Sequence, residues 1–242
     1  MKLPEEVPKG LYTFSLRKRW FDVIMGSTLA GLAAVPEVIG AALLKRSLDT
    51  GSVYIRQERL GTEITKLRTM LNVPPNDMIT SVRQSSNVND PRVPPGFPKF
   101  ARQTRFDEVP QLRQAVYHAA FHWGNTPRIS LGGIRPLITR HADEFHDEVA
   151  PRDPELARKW RDVWLPIAPR ALFSPASVAF MRRESNENMD PAEWMKLEVD
   201  YCENSTMETD FSLIGQTIGN VAMATIEEAA DRFRSLFSPP RE

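Results

Sequence analysis

Residues 17–46 read RKRWFDVIMGSTLAGLAAVPEVIGAALLKR, and the placement of this apolar stretch decides the fold. Between Trp20 and Leu44 only Asp22 and Glu37 carry charge. The uninterrupted apolar run, Val23 to Pro36, is shorter than the about twenty residues a spanning helix needs. Pro36 removes one helical hydrogen bond and pushes against the carbonyl of Leu32, so a helix through it is expected to kink or break. Basic residues flank both ends, Arg17 to Arg19 before and Lys45 and Arg46 after, whereas a spanning segment carries its positive bias on the cytoplasmic side only. These features predict a helix that enters one leaflet, breaks at Pro36 and returns to the same side. A kinked helix buried in a soluble protein satisfies the same residues. A signal peptide also pairs a basic start with an apolar run, but here the basic cluster comes late. Glu37, costly at mid-bilayer unless paired or hydrated, suits a shallow elbow.

Composition bounds the rest. At 242 residues and 27.5 kDa the chain makes one large or two small domains. Lys plus Arg and Asp plus Glu both number 31, so no global basic field exists, a nucleic-acid partner is not expected, and any anion site is local. A mean hydropathy of −0.37 excludes a polytopic membrane protein. The single cysteine, Cys202, excludes an internal disulfide and a cysteine metal cluster. Twenty prolines suggest short helices joined by fixed turns.

The second informative stretch is Phe100–Leu112, FARQTRFDEVPQL. It sets Asp107 and Glu108 among Arg102, Arg105 and Arg113, with Pro110 at the expected first position of a helix. The positive end of that helix favours carboxylates and phosphate alike, and a carboxylate there can act as a nucleophile toward a phosphoryl group. Upstream, Ser47–Met70 reads as a short hairpin-like element punctuated by Gly51 and Gly61, followed by a loop over residues 71–99. Downstream, Gln111–Phe121 suits a helix with His118 and His122 one turn apart, a pair able to bind zinc only if a third ligand converges. The segment His141–Arg170 carries Trp160 and Trp164, which fit either a headgroup-layer helix or a core helix. Asp190, Pro191 and Glu193 read as the cap and first turn of a further helix. Beyond it Phe211, Ile214, Ile218, Val221, Thr225 and Ala229 form a helical stripe suited to core or membrane-surface packing.

With these motifs the chain resembles the bacterial sugar transferases, the monotopic polyprenyl-phosphate phosphoglycosyl transferases. KRWFD at Lys18–Asp22, followed by the run to Pro36, is similar to their re-entrant helix. Gln57, Arg59, Gly61, Lys66, Arg68, Thr69 and Met70 match the family's two basic boxes, DEVPQL matches the dyad box, and SLGGIRP at Ser130–Pro136 matches the diphosphate box. Asp200, Tyr201, Asn204, Ser205, Asp210, Ile214 and Thr217 follow the C-terminal pattern in order. HWGNTPRI, before the diphosphate box, has no counterpart in the family pattern. Departures stand at Val35, Ser52, Leu67, Ile134, Arg170 and Leu172.

The resemblance implies a mainly α fold with a small β element (α+β), made of an arm and re-entrant helix over 1–46 and a cytoplasmic catalytic domain over 47–242. It implies a monotopic protein on the cytoplasmic face of the inner membrane, without a nucleic-acid partner. Asp107 would be the nucleophile, with Glu108 beside it, and the two would hold Mg²⁺. Arg59, Lys66, Arg68, Arg102, Arg135 and Pro136 would contact substrate. The implied partners are a nucleotide-diphosphate sugar, a UDP-sugar in the first instance, a polyprenyl phosphate, one membrane leaflet and a second copy of the chain. The implied reaction transfers a phosphosugar through an aspartyl intermediate, at the start of membrane glycoconjugate or exopolysaccharide synthesis. The departures leave a rival from another class, a non-catalytic paralogue serving as a membrane-surface scaffold. A soluble nucleotide-binding domain is a third reading and needs the apolar stretch to be buried.

Overall fold

The computed structural model describes residues 11–48, 52–71, 92–122, 128–181 and 190–237. The protein is mostly helical with small sheets, an α+β architecture. The loop expected over 71–99 and the insertion before Arg128 lie largely outside the described residues.

Helix α1, Leu16–Leu48, carries the apolar stretch. Its buried positions, Lys18, Phe21, Asp22, Gly26, Glu37, Gly40, Leu44 and Leu48, follow helical spacing at each end and so form one inward face. Leu16, Trp20, Ile24, Leu32, Val35, Val38, Ile39 and Leu43 point outward and are exposed. The helix is therefore inverted along its middle: Asp22, Gly26, Glu37 and Gly40 face protein, while most of its large apolar residues, other than Phe21, Leu44 and Leu48, face the surroundings. A core helix in a soluble protein has the opposite polarity, so the buried-helix reading does not hold, and α1 is a candidate membrane segment. One expectation is corrected here. The helix continues through Pro36 without interruption. Pro36 and Leu32 both lie on the exposed side, and Glu37, Gly40 and Leu44 dock the following turns onto protein. Proline's local cost, about 3 kcal/mol, is thus offset by the packing that follows it.

The hairpin forms as expected. Strands β1, Tyr54–Arg59, and β2, Thr62–Leu67, pair antiparallel with Arg59 opposite Thr62, leaving the two-residue turn Leu60–Gly61, where Gly61 takes φ 75°. Helix α2, Phe97–Gln103, precedes the dyad, and α3, Pro110–Phe121, begins at the expected proline. A second sheet was not foreseen. Strands β3, Ile129–Gly132, and β4, Arg170–Phe173, run parallel and are buried throughout, as crossover-linked strands are. Between them lie α4, Thr139–Val149, and α5, Pro154–Arg158, which continues as a π-helical turn over Lys159–Trp164. Trp160 and Trp164 are fully buried, which selects the core reading over the headgroup one. Each indole finds a carboxylate, Trp160 Nε1 donating to Glu198 Oε2 at 2.8 Å and Trp164 Nε1 to Glu203 Oε1 at 3.3 Å.

After the short α6, Pro175–Met181, helix α7, Pro191–Asn204, is capped as its sequence suggests, with the Asp190 carboxylate accepting from the Ala192 N–H. Helix α8, Met207–Phe237, leads back to α1. Its expected stripe divides: Ile214 is buried, whereas Phe211 and Ile218 are exposed, and Phe211 meets Phe21 edge to face at 4.9 Å.

The two ends of the fold are joined by a buried polar network. Lys18 Nζ donates to Asp22 Oδ1 at 2.9 Å and to Asp210 Oδ2 at 2.6 Å. Tyr201 and Tyr12 donate to Asp210 at 2.6 and 3.0 Å, Ser130 donates to Asp22 at 2.7 Å, and Arg128 lies 3.8 Å from Asp22. Lys18 is thus not a flanking headgroup cation: it is an internal counter-ion. Gly132 fits beside this network because it lacks a side chain; a Cβ there would come within 2.0 Å of Asp210 Oδ1.

Candidate functional site

The dyad occupies a single 3₁₀ turn, Phe106–Glu108, between α2 and α3. The chain enters it through Arg105, whose φ of 56° is left-handed, a conformation that costs a non-glycine residue on the order of 1 kcal/mol or more. This bend turns Asp107 inward, where it is 8% exposed. Lys66, projecting from β2, donates to Glu108 Oε1 at 2.7 Å and stays 3.9 Å from Asp107 Oδ2. Arg105 lies 3.5 Å from Glu108 Oε2. Glu108 is thus the partnered acid and Asp107 the less neutralised one.

Their protonation follows. Burial pushes the Asp107 carboxyl up, to about 6, against the lowering pull of Lys66, while Glu108 adds to the rise. Burial also works to raise Glu108, but Lys66 and Arg105 outweigh it and hold that carboxyl well below the usual range. Arg135 is pushed down to about 9 by burial and by Arg105, with Glu108 opposing. Burial lowers Arg59 as well, again opposed by Glu108. Arg59, Arg102, Arg105, Arg135 and Lys66 therefore all bear electrostatically on the pair.

Not every expected residue joins them. Arg113 turns away from the dyad and grips Glu37. Arg68 extends the hairpin through its backbone N–H to Val53 O at 2.7 Å, and among the described residues it forms no ion pair with the dyad. Pro136 lies between Arg135, whose N–H donates to Glu198 Oε1 at 2.8 Å, and Leu137, whose carbonyl accepts from Leu60 at 2.9 Å. That last bond brings the Arg59 turn against the diphosphate box. Arg170, standing where the resemblance expects glycine, is 1% exposed and donates to the carbonyls of Leu60, Leu165 and Ala168. Its guanidinium supports the Arg59 turn from below, so this departure is a replacement support.

Two residues beside Arg135, His141 and Glu198, were not expected from the sequence. His141, 3% exposed at the start of α4, keeps a buried Nε2 without a partner, as Arg59 does its Nε. Burial and the nearby Arg59 and Arg135 push His141 down to about 4, so it is a neutral imidazole at physiological pH. The Arg59 Nε–H is a buried donor that calls for an acceptor, and His141 Nε2, donor or acceptor according to its tautomer, lies buried without a partner as well. Glu198 is pushed up to about 7 by burial, against the lowering effect of its hydrogen bonds from the Arg135 backbone and Trp160. The available sequence signal was position alone: His141 follows the diphosphate box by five residues.

The metal expectations divide. Among the described residues no cluster of three His, Cys, Asp or Glu could hold an ion. His118 Nδ1 accepts from the Ile129 N–H at 3.1 Å and its ring stacks on His122, so the zinc reading lacks support. Asp107 and Glu108 are two hard oxygen donors amid cationic side chains, a set that suits Mg²⁺ only when substrate phosphates complete the coordination.

A buried acidic pair ringed by cations, on a body that bears an outward apolar helix, marks a protein handling anionic substrates next to a membrane. The family model described as bacterial sugar transferase matches residues 13–224, and the chain belongs to that family. It is accordingly a membrane-associated transferase whose family moves sugar phosphate from a sugar donor to a lipid-phosphate carrier. A comparison with curated proteins gives no match.

Proposed function

We propose that this chain is a monotopic phosphoglycosyl transferase working by covalent catalysis on Asp107. The observation that carries the reading is the asymmetry of the dyad: Glu108 is ion-paired at 2.7 Å, while the buried Asp107 keeps a weakly partnered, more basic oxygen. Asp107 Oδ attacks the β-phosphorus of a nucleotide-diphosphate sugar. The bond to the bridging oxygen of the α-phosphate breaks, nucleoside monophosphate leaves, and the sugar phosphate remains on the carboxylate. An oxygen of polyprenyl phosphate then attacks the same phosphorus, breaks its bond to Asp107 and restores the carboxylate. Lys66, Arg59 and Arg135 neutralise the diphosphate, His141 donates to one of its oxygens, and Glu108 holds Lys66 and Arg105 in register. Asp107 and Glu108 are the residues that would hold Mg²⁺, which supplies charge neutralisation on the diphosphate.

The membrane reading draws on α1. Its first turns bind Asp210 and its later turns bind Arg113, Phe106 and Leu67, so both ends belong to one protein body and the apolar outer face dips into a single leaflet. The face is cytoplasmic, where nucleotide sugars are found.

The test is incubation with a panel of nucleotide-diphosphate sugars, Mg²⁺ and undecaprenyl phosphate. The parent releases nucleoside monophosphate and Asp107→Asn does not. Release by the variant at the parental rate overturns the nucleophile assignment, and no release by folded parent with any donor favours the scaffold.

A further inference from the structure

Glu37 follows Pro36 directly, among the exposed apolar residues Val35, Val38 and Ile39, yet it is 2% exposed. Its carboxylate receives both amino groups of Arg113, at 2.6 and 2.8 Å, and the Tyr54 hydroxyl at 3.1 Å. A two-pronged guanidinium contact fixes orientation as well as distance. Each partner leads to the dyad. Arg113 lies in the first turn of α3, which begins two residues after Glu108. Tyr54 pairs in register with Leu67, the neighbour of Lys66, and Lys66 holds Glu108. One turn beyond Glu37, Gly40 admits the Phe106 ring so closely that a Cβ would meet it at 2.3 Å, and Phe106 adjoins Asp107.

From this convergence we infer that Glu37, with Arg113 and Tyr54, is a positioning clamp that sets the distance of Asp107 from the apolar face of α1. The inference rests on the covalent reading above. A soluble donor reaches Asp107 from water and is indifferent to that distance. A lipid-borne acceptor is held at the depth of its phosphate, so its attack depends on it. The clamp therefore governs the second half-reaction and leaves the first alone. Glu37 and Arg113 touch neither substrate and act through the elements they tie.

Rapid-quench measurement separates the two halves. Without acceptor, parent, Glu37→Gln and Arg113→Lys each give a burst of nucleoside monophosphate equal to the enzyme present, at the same rate. With polyprenyl phosphate in vesicles, steady-state turnover falls about 10- to 100-fold in Glu37→Gln, the scale of an ångström-level misplacement. Arg113→Lys, a change on a half-exposed side chain that keeps the charge and loses the second prong, falls less and does so without a folding defect. Unchanged turnover in both variants overturns the clamp. So does an equal fall in burst and turnover, which would mark a structural role only. A parent without any burst overturns the covalent reading, and this inference with it.

Discussion

Replacing Lys18 by methionine is expected to cost more stability than any single surface change in this protein. The buried network holds two cations, Lys18 and Arg128, and two carboxylates, Asp22 and Asp210, so its charges balance. Lys18→Met leaves one carboxylate in excess at a site where the Lys18, Asp22 and Asp210 side chains are all fully buried. Breaking a buried pair by removing one partner costs about 3–5 kcal/mol, and for a chain of this size each kcal/mol lowers Tm by roughly 2–4 °C. The expected loss is about 6–20 °C, read by near-ultraviolet circular dichroism in one detergent, with the buried Trp160 and Trp164 as reporters. Adding Asp210→Asn removes the excess charge and leaves Asp22 with Arg128. The double variant therefore regains about 2 kcal/mol or more relative to the sum of the single changes. Additivity within about 0.5 kcal/mol would refute a coupled network, as would a Lys18→Met variant melting within 2 °C of the parent.

Turnover is expected to fall below about pH 6, where Asp107 protonates, while Glu108, held low by Lys66 and Arg105, stays ionised. Because Lys66 lowers both acids, Lys66→Met moves this acid limb to higher pH; a limb in the ordinary carboxylate range near 4 would contradict the burial of Asp107. His141→Ala is expected to reduce donor kcat/KM about 10- to 100-fold, the value of one hydrogen bond to a charged group, and His141→Gln recovers part of it. Since His141 is neutral above about pH 4, its contribution is constant from pH 5.5 to 8. Gly132→Ala drives a methyl group into Asp210 and Tyr201 and is expected to destabilise by about 1–3 kcal/mol in a thermal melt.

The sequence was most informative where local chemistry decides structure. Pro110 starts α3, Asp190 caps α7 and Gly61 turns the hairpin, because each depends on one residue's backbone preference. The apolar stretch was legible as a candidate membrane segment, but continuity through Pro36 was not, since it depends on Glu37, Gly40 and Leu44 finding partners far along the chain. Glu37 did announce itself as a charge in need of a partner; that the partner is Arg113, itself read as a dyad cation, required the tertiary fold. The parallel β3–β4 pair escaped because four-residue buried strands have no period to read. His141 and Glu198 became visible only when burial removed their access to water. The departure at Arg170 illustrates the same limit in reverse, for a substitution that looked disruptive in one dimension is a scaffold strut in three.

The Lys18–Asp210 bond spans 192 residues, and this separation imposes an order on synthesis. At about 5–20 residues per second, roughly 10–40 s pass between the emergence of Lys18 and that of its distant partner. During that interval the Lys18–Asp22 pair, one turn apart, can neutralise itself locally. The helix thus carries its own provisional counter-ion and is sealed to the body only when the last third of the polypeptide delivers Asp210.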